Sequence, residues 1–252
     1  MISLKTEKDI ELLRIGGKIL SRVLRMTSKK IKPGATAREL DEIARSIMKE
    51  QGVKPSFLGY RSMRHSDPFP GALCVSVNDV IVHGVPTQDL VLRNGDIVTI
   101  DGGLIYKGRF VDAATTVAIG KVPRAVGKLI RVTREALNRA IKVCVQGNVL
   151  GDIGYAVQSY VEAQGFSVCE ELVGHGVGYG VHEDPAVPNR GRRGEGMKLE
   201  PGMVLALEPM VCMGSGKIIE NSDGSFATAD RSIAAHFEHT VVITGKKPLV
   251  VT

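Results

Sequence analysis

The chain has 252 residues, 43% of them apolar and 24% charged, with 33 Lys and Arg against 27 Asp and Glu for a net charge of +6. That length suits one large domain or two small ones, the composition excludes wholesale disorder, and no apolar run exceeds the five residues of 203–207, where a membrane-spanning helix needs about 20. The N-terminus, MISLKTEKDIELL, lacks the apolar core of a signal peptide, so a soluble, cytoplasmic protein with no membrane partner is expected.

Thr6-Glu7-Lys8-Asp9 reads as a helix start, and Ile10, Leu13, Gly17, Leu20 and Leu24 follow at helical spacing. This predicts a helix to about residue 30, broken by Pro33-Gly34. Thr36 and Glu39 form a capping box ahead of a second helix that carries Leu40, Ile43, Ile47 and Met48 to a stop at Gly52. Residues 53–71 hold two Gly and three Pro and are predicted as a long loop. Strand patterns follow at 72–77, 80–82, 96–101 and 110–119. Pro123 precedes a helix predicted over 124–145, and a shorter one over 152–163 stops at Gly165. Beyond that the chain reads as strand and Gly-rich turn. Shifting the second helix pair back by 113 residues sets Gly147 on Gly34, Ser159 on Ser46, Gln164 on Gln51 and Gly165 on Gly52. With the repeated helix, helix, strands order, this suggests a single domain, 1–252, duplicated inside into halves of about 7–120 and 121–245. Sites often lie between such halves.

Four carboxylates interrupt apolar strand patterns. Asp101 ends Asp-Ile-Val-Thr-Ile-Asp, Asp112 lies in Phe-Val-Asp-Ala-Ala, Glu208 in Ala-Leu-Glu-Pro-Met and Glu238 in His-Phe-Glu-His-Thr. A buried carboxylate neutralises, pairs with a base or binds a metal. Four of them, with no basic residue obvious in the same strands, favour a shared cation. A hairpin symmetric about Tyr106 and Lys107 has cross-strand residue numbers that sum to 213, which would set Asp101 opposite Asp112 at about 5 Å. His175 and His182 sit in Gly174-His175-Gly176-Val177-Gly178-Tyr179-Gly180-Val181-His182-Glu183, too rich in glycine for a helix. The run fails the GxGxxG pattern at Tyr179 and at Val181, and HExxH fails because Ala186 replaces the second His. His83 ends a strand at a Gly turn. Four carboxylates with one or more His suit Mn, Fe, Co or catalytic Zn rather than structural Zn. A pair of such ions, about 3.5–4 Å apart, runs hydrolysis. The four cysteines, Cys74, Cys144, Cys169 and Cys212, form no CxxC pair and read as buried thiols. Trp is absent and aromatics are 4%, too few for a stacking surface for single-stranded nucleic acid. The basic runs 29–32 and 190–193 leave room for a weak electrostatic contact with RNA.

The pieces Val82-His83-Gly84-Val85-Pro86, Ile100-Asp101 with Asp112 eleven residues on, Gly174-His175-Gly176-Val177-Gly178, His182-Glu183, Leu207-Glu208-Pro209-Met210 and Glu238-His239-Thr240 stand in an order and spacing that resembles the type I methionine aminopeptidases of the bacterial kind. The resemblance runs from about Thr6 to the C-terminus. It implies the α+β pita-bread fold, a pseudo-twofold duplicated antiparallel sheet with helices on its outer face. It also implies two divalent ions, of Co, Mn, Fe or Zn. By the same resemblance, Asp101 is the bidentate ligand of one ion, Asp112 and Glu238 are bridging ligands, and His175 and Glu208 complete the other. The implied reaction is removal of the N-terminal methionine from nascent polypeptides, with a metal-bound hydroxide attacking the first peptide bond. Glu208 is the candidate to shuttle the proton, His182 to hydrogen-bond the carbonyl oxygen, and His83 to contact the departing nitrogen. The implied partners are nascent chains beginning with Met and possible contacts with the ribosome, the protein acting as a monomer.

The methionine pocket departs from that pattern. Phe57-Leu58-Gly59-Tyr60 and the run from Phe69 to Cys74 resemble its wall, which assigns Tyr60, Phe69 and Cys74 to substrate binding. They are separated by residues 61–68, longer than the family's usual spacing, and His65 in that insertion is open between surface residue and lid contact. Phe57 stands where Cys is frequent, Val181 where Phe is frequent, and Phe226 is placed to supply an aromatic. Val111 precedes Asp112 where Gly is usual. Two other readings stay open. An X-Pro peptidase on the same fold ordinarily carries a large extra N-terminal domain, and a non-catalytic binding relative ordinarily loses ligands, all five of which stand here.

Overall fold

Thr6 and Thr36 start the two N-terminal helices as predicted. Each hydroxyl accepts the backbone N–H three residues on, and the carboxylates of Asp9 and Glu39 reach back to the N–H of the cap. The computed structural model describes residues 2–61 and 67–252, so the predicted His65 and most of the insertion around it lie outside the described residues. Helix α1 spans Glu7–Ser28 and α2 Ala37–Glu50. Strands β1 (Lys54–Pro55), β2 (Leu73–Val77), β3 (Val80–Val82), β4 (Ile97–Tyr106) and β5 (Arg109–Ala118) follow. Then come α3 (Arg124–Val143) and α4 (Leu150–Ala163). The last part holds β6 (Ser167–Val168), β7 (Val173–Gly176), β8 (Glu183–Pro188), β9 (Val204–Leu207), β10 (Met210–Cys212), β11 (Ile218–Glu220), β12 (Phe226–Thr228), β13 (Ala234–His236), β14 (Glu238–Val242) and β15 (Leu249–Val250). Two boundaries differ from expectation for local reasons. Asp152 lies inside α4 because it is the capping carboxylate, accepting the N–H of Val149 at 2.9 Å. Within the predicted loop, Lys54 and Pro55 add a short edge to β4.

Among the described residues, nine strands form the main sheet, in the order β1-β4-β5-β14-β9-β7-β8, with β2 also on β4 and β15 on β14. Two three-stranded sheets, β13-β10-β6 and β11-β12-β3, complete the fold. Each of these strand pairings is antiparallel. One apolar cluster joins α1 and α2 to Val98, Ile100, Leu104, Val111 and Ala113 of β4 and β5. Another joins α3 and α4 to Leu205, Leu207 and Val241 of β9 and β14. Alternation along the strands then sends Asp101, Asp112, Glu238 and Glu208 to the face away from those helices.

The hairpin register corrects the sequence expectation. Tyr106 pairs with Arg109, and Asp101 pairs with Ala114, not Asp112. Lys107 and Gly108 form the two-residue turn with φ of 46° and 77°, the left-handed pair that matches strand twist, and Gly at the second position takes it without a Cβ penalty. The offset is two residues, so both aspartates still share one face. Asp112 stands opposite Gly103, one pleat step from Asp101. Cross-strand pairing then sets a row Cys74, Asp101, Ala114, Glu238 over β2, β4, β5 and β14. The register of β14 with β9 carries that row on to Glu208, just past the end of β9.

Thr240 secures the spot where this row is most crowded. Its hydroxyl accepts the N–H of Asp112 at 2.9 Å and donates to the C=O of Asp112 at 2.8 Å, standing in for ladder bonds between β5 and β14. Thr240→Val keeps the shape and strands both buried groups. It should lower unfolding free energy by about 2–4 kcal/mol, read from urea denaturation of the metal-free chain. A loss below the scatter of the measurement would remove this role.

Candidate metal centre

Each candidate ligand is placed by the end or middle of a strand. Asp101 and Asp112 come from β4 and β5, His175 from β7, Glu238 from the start of β14, and Glu208 from the turn between β9 and β10. Gly174 before His175 lets β7 press on β9, for a Cβ there would come within 2.3 Å of the Ala206 carbonyl oxygen. Ligand atoms of Asp112, His175 and Glu238 lie within 4.8 Å of one another. Asp101 joins them by a hydrogen bond to Asp112. Glu208 joins through His175, whose Nε2 is 3.4 Å from Glu208 Oε1. All five candidate ligands thus converge.

Their protonation states show what the cluster lacks. Burial and mutual repulsion raise the pKa values of Asp101, Glu208 and Glu238 well above the usual carboxylate range. Burial lifts Asp112 to about 7, although the N–H of Ala113 and the hydrogen bond with Asp101 pull it down. Among the described residues, the bases within ion-pairing distance of these four are imidazoles, His175 and His236. Both are themselves pushed down to about 3, chiefly by burial, so they are neutral near pH 7. The Nδ1 of His175 faces the Gly176 carbonyl oxygen at 2.9 Å. A carbonyl only accepts, so Nδ1 carries the proton and Nε2 turns a lone pair toward Glu208. Two electron-rich atoms meet there, and a proton or a cation must lie between them. Asp101 Oδ1 and Glu238 Oε1 have no hydrogen-bond partner at all. The donor set and these orphaned oxygens fit divalent cations.

The other predicted residues surround this cluster. His182 is exposed. Its ring lies edge-on to that of His175, with centroids 4.5 Å apart, and its Nδ1 is 2.9 Å from the Tyr60 hydroxyl. Burial of its surroundings lowers its pKa. His83 is exposed, holds a left-handed backbone with φ of 60°, and packs edge-on to Phe226 at 5.7 Å. Cys74 is buried on the row beside Asp101, and burial together with Asp101 and Asp112 pushes its thiol pKa up. Phe69 is half-buried, and its N–H donates to the Tyr60 carbonyl at 2.8 Å. This ladder fixes the wall of the cleft on both sides of the residues outside the described set. His236 was not singled out from sequence. It is 1% exposed, both ring nitrogens lack hydrogen bonds, and its Nε2 lies 3.8 Å from Glu208 and 4.0 Å from Glu238. Its position two residues before Glu238 was the available signal.

The model of metallopeptidase family M24 matches residues 11–245, and the methionine aminopeptidase of Clostridium perfringens is 46% identical over 253 residues, covering 100% of this chain and 99% of its own length. The chain belongs to metallopeptidase family M24. The crystal structure of methionine aminopeptidase from Thermotoga maritima superposes with a TM-score of 0.95 at 42% identity, over 100% of this chain and 99% of that one. The prolidase from Pyrococcus furiosus shares the fold, with a TM-score of 0.79, at 21% identity, this chain covering 65% of its length. The resemblance read from the motifs, to the methionine aminopeptidases of this family, and the α+β pita-bread fold it implied are both borne out. Membership of this metallopeptidase family implies a divalent metal, and Asp112, His175 and Glu238 form a group that could hold one. No helix among the described residues is long and apolar enough to cross a membrane.

The carboxylate pKa values set a sign for metal-free stability. Near pH 6.5 the unfolded carboxylates are ionised and the unfolded histidines hold about half a proton each. That is fewer protons in total than the four raised carboxyls hold in the folded state, and the histidines lose theirs within about the next pH unit. The folded state alone still holds carboxyl protons, on groups raised above their unfolded values, so stability must fall as pH rises through about 7. The metal-free chain should therefore melt several degrees lower at pH 8 than at pH 6.5, and added divalent metal should remove the difference. Scanning calorimetry with and without a chelator checks this, and a metal-free melting point that rises with pH contradicts it.

Proposed function

We propose that the chain removes the N-terminal methionine from nascent polypeptides by hydrolysing the first peptide bond. The convergence of five candidate ligand groups on one sheet face, with no Lys or Arg beside them among the described residues, carries this reading, and the full-length likeness to methionine aminopeptidases supports the substrate. Asp101, Asp112, His175, Glu208 and Glu238 would hold two divalent ions, of Co, Mn, Fe or Zn. Bound there, such ions polarise a carbonyl and lower the pKa of a water, which makes a nucleophile available near pH 7.

The side chains supply the rest. Glu208 takes the proton of the attacking water and returns it to the departing amine. Its position beside His175, at the edge of the carboxylate cluster, suits both steps. The Tyr60 hydroxyl donates to Nδ1 of neutral His182, which leaves the ring proton on Nε2. That Nε2–H meets the substrate carbonyl oxygen and strengthens its hold as charge grows there. His83 contacts the nitrogen that leaves. The methionine side chain lies against Tyr60, Phe69 and Cys74, at the wall that the Tyr60–Phe69 ladder fixes. The protein acts in the cytoplasm as a monomer, a single domain of two halves, 7–120 and 121–245, and its basic excess, lying outside the acidic centre, gives a weak contact with ribosomal RNA.

His182→Ala should lower kcat on Met-Gly-Met-Met by about 10²-fold or more, the scale of one lost oxyanion donor, with the metal content unchanged. Unchanged turnover would remove His182 from the reaction. Faster cleavage of Ala-Pro than of Met-Gly-Met-Met by the unmodified protein would overturn the methionine reading itself.

A further inference from the structure

Lysines are almost never fully buried unless paired, yet the side chain of Lys5 is 1% exposed and no step above uses it. It lies on the arm of residues 2–6 ahead of α1. Its Nζ donates to Glu183 Oε2 at 2.7 Å and to Ser3 Oγ at 2.5 Å, and Ser3 Oγ donates to the same carboxylate oxygen. The other oxygen of Glu183 accepts the backbone N–H of Tyr179 and, at 2.8 Å, that of Gly180. The carboxylate therefore closes the 179–183 turn from within, and the arm grips the carboxylate.

That turn has little rigidity of its own. Gly180 lies in it and Gly178 immediately precedes it, after Gly174 and Gly176 of β7, and glycine gives up more backbone freedom on ordering than any other residue. Its fixity must come from neighbours. The Lys5 stem lies so close over Gly178 that a Cβ there would come within 2.4 Å of Lys5 Cε. The Lys5 N–H donates to the Gly202 carbonyl at 2.7 Å, which ties the arm to the approach to β9. Tyr179 adds a second hold, its hydroxyl donating to Asp9 at 2.7 Å, while Arg109 bonds the same Asp9 at 2.7 Å. Glu183 immediately follows His182 and begins β8.

We propose that the Lys5–Glu183 ion pair is a positioning device for His182, fixing the glycine-rich turn so that the imidazole keeps its hydrogen bond to Tyr60 and its aim into the cleft. This rests on the reading of His182 as the donor to the substrate carbonyl. Lys5 and Glu183 touch no reacting atom and act through the histidine.

Lys5→Met keeps the apolar stem and removes the charge. In the metal-loaded full-length protein it should lower kcat on Met-Gly-Met-Met about 10-fold with KM nearly unchanged, since a misplaced group costs most in the transition state. Lys5→Arg should recover part of the loss. In the metal-free chain the imidazole ¹H–¹⁵N resonances of His182 should move in Lys5→Met. In a His182→Ala background the same change should cost less than about twofold. The full loss persisting in that background, or His182 resonances that stay in place, overturns the proposal. Resonances that move while His182→Ala alone leaves turnover intact would uphold the clamp and overturn the role given to His182. Glu183→Gln, which keeps one oxygen for the two turn N–H groups and sets a donor NH2 against Lys5, provides the same readings should Lys5→Met fail to fold.

Discussion

Anions that share a buried sheet face lose their water and repel one another, so the face can hold them only with protons or cations among them. Asp101, Asp112, Glu208 and Glu238 meet that condition together, and the surrounding structure follows from it. The flanking bases are imidazoles that burial keeps neutral, so they do not cancel the charge by ion pairing. The backbone around Asp112 is tied by the Thr240 hydroxyl, so the carboxylate cannot relieve repulsion by shifting its strand. An M24 metallopeptidase needs a place where a divalent ion is preferred to a proton. Rigid carboxylates without basic partners make one, at a cost in stability whenever neither is bound.

The mouth of the cleft is organised on a different principle. There the side chains are exposed and direction matters more than charge. The Tyr60 hydroxyl holds Nδ1 of His182, and the left-handed backbone at His83 presents its ring beside Phe226. The loops that carry them are short of packing themselves. The wall relies on the ladder between Tyr60 and Phe69 and on Asp41, whose carboxylate accepts the N–H groups of Ala72 and Leu73 at 2.6 and 2.9 Å. The glycine-rich turn relies on the arm that precedes α1. Precise placement at an exposed mouth is thus borrowed from buried polar contacts several residues away.

Much of this was legible in the sequence because the signals were local. Thr6 and Thr36 name their helices through capping boxes, and each of the four carboxylates is conspicuous against the apolar strand around it. What was not legible depended on a register or on a distant partner. The β4–β5 pairing was misjudged by one turn position, because Gly108 takes the second place of the turn rather than lying beyond it. The error kept both aspartates on one face because it was an even shift, and an odd one would have turned one of them into the helix cluster. His236 shows its part only once folding sets it against Glu208 and Glu238. Lys5 and Glu183 are 178 positions apart, and nothing in the local pattern of either announces the other.

The placement of the carboxylates also bears on how the two parts of the fold are joined. Asp101 and Asp112 lie on β4 and β5, packed mainly on the apolar cluster under α1 and α2, whereas Glu208 and Glu238 belong with β9 and β14, whose Leu205, Leu207 and Val241 join the cluster under α3 and α4 while Val204, Ala206 and Val242 join the first. The first cluster thus runs across the seam between β5 and β14, and its apolar packing opposes the repulsion concentrated there. Only two backbone pairs, Glu238 with Ala114 and His239 with Ala113, define that seam in register, next to the Thr240 hydroxyl. A cation held jointly by carboxylates from both sides would turn the least favourable charge contact of the seam into an attraction across it. Such a cation would add to the apolar packing that already joins the two helix pairs, so its loss would weaken the seam on its charged face while the apolar cluster still held the other.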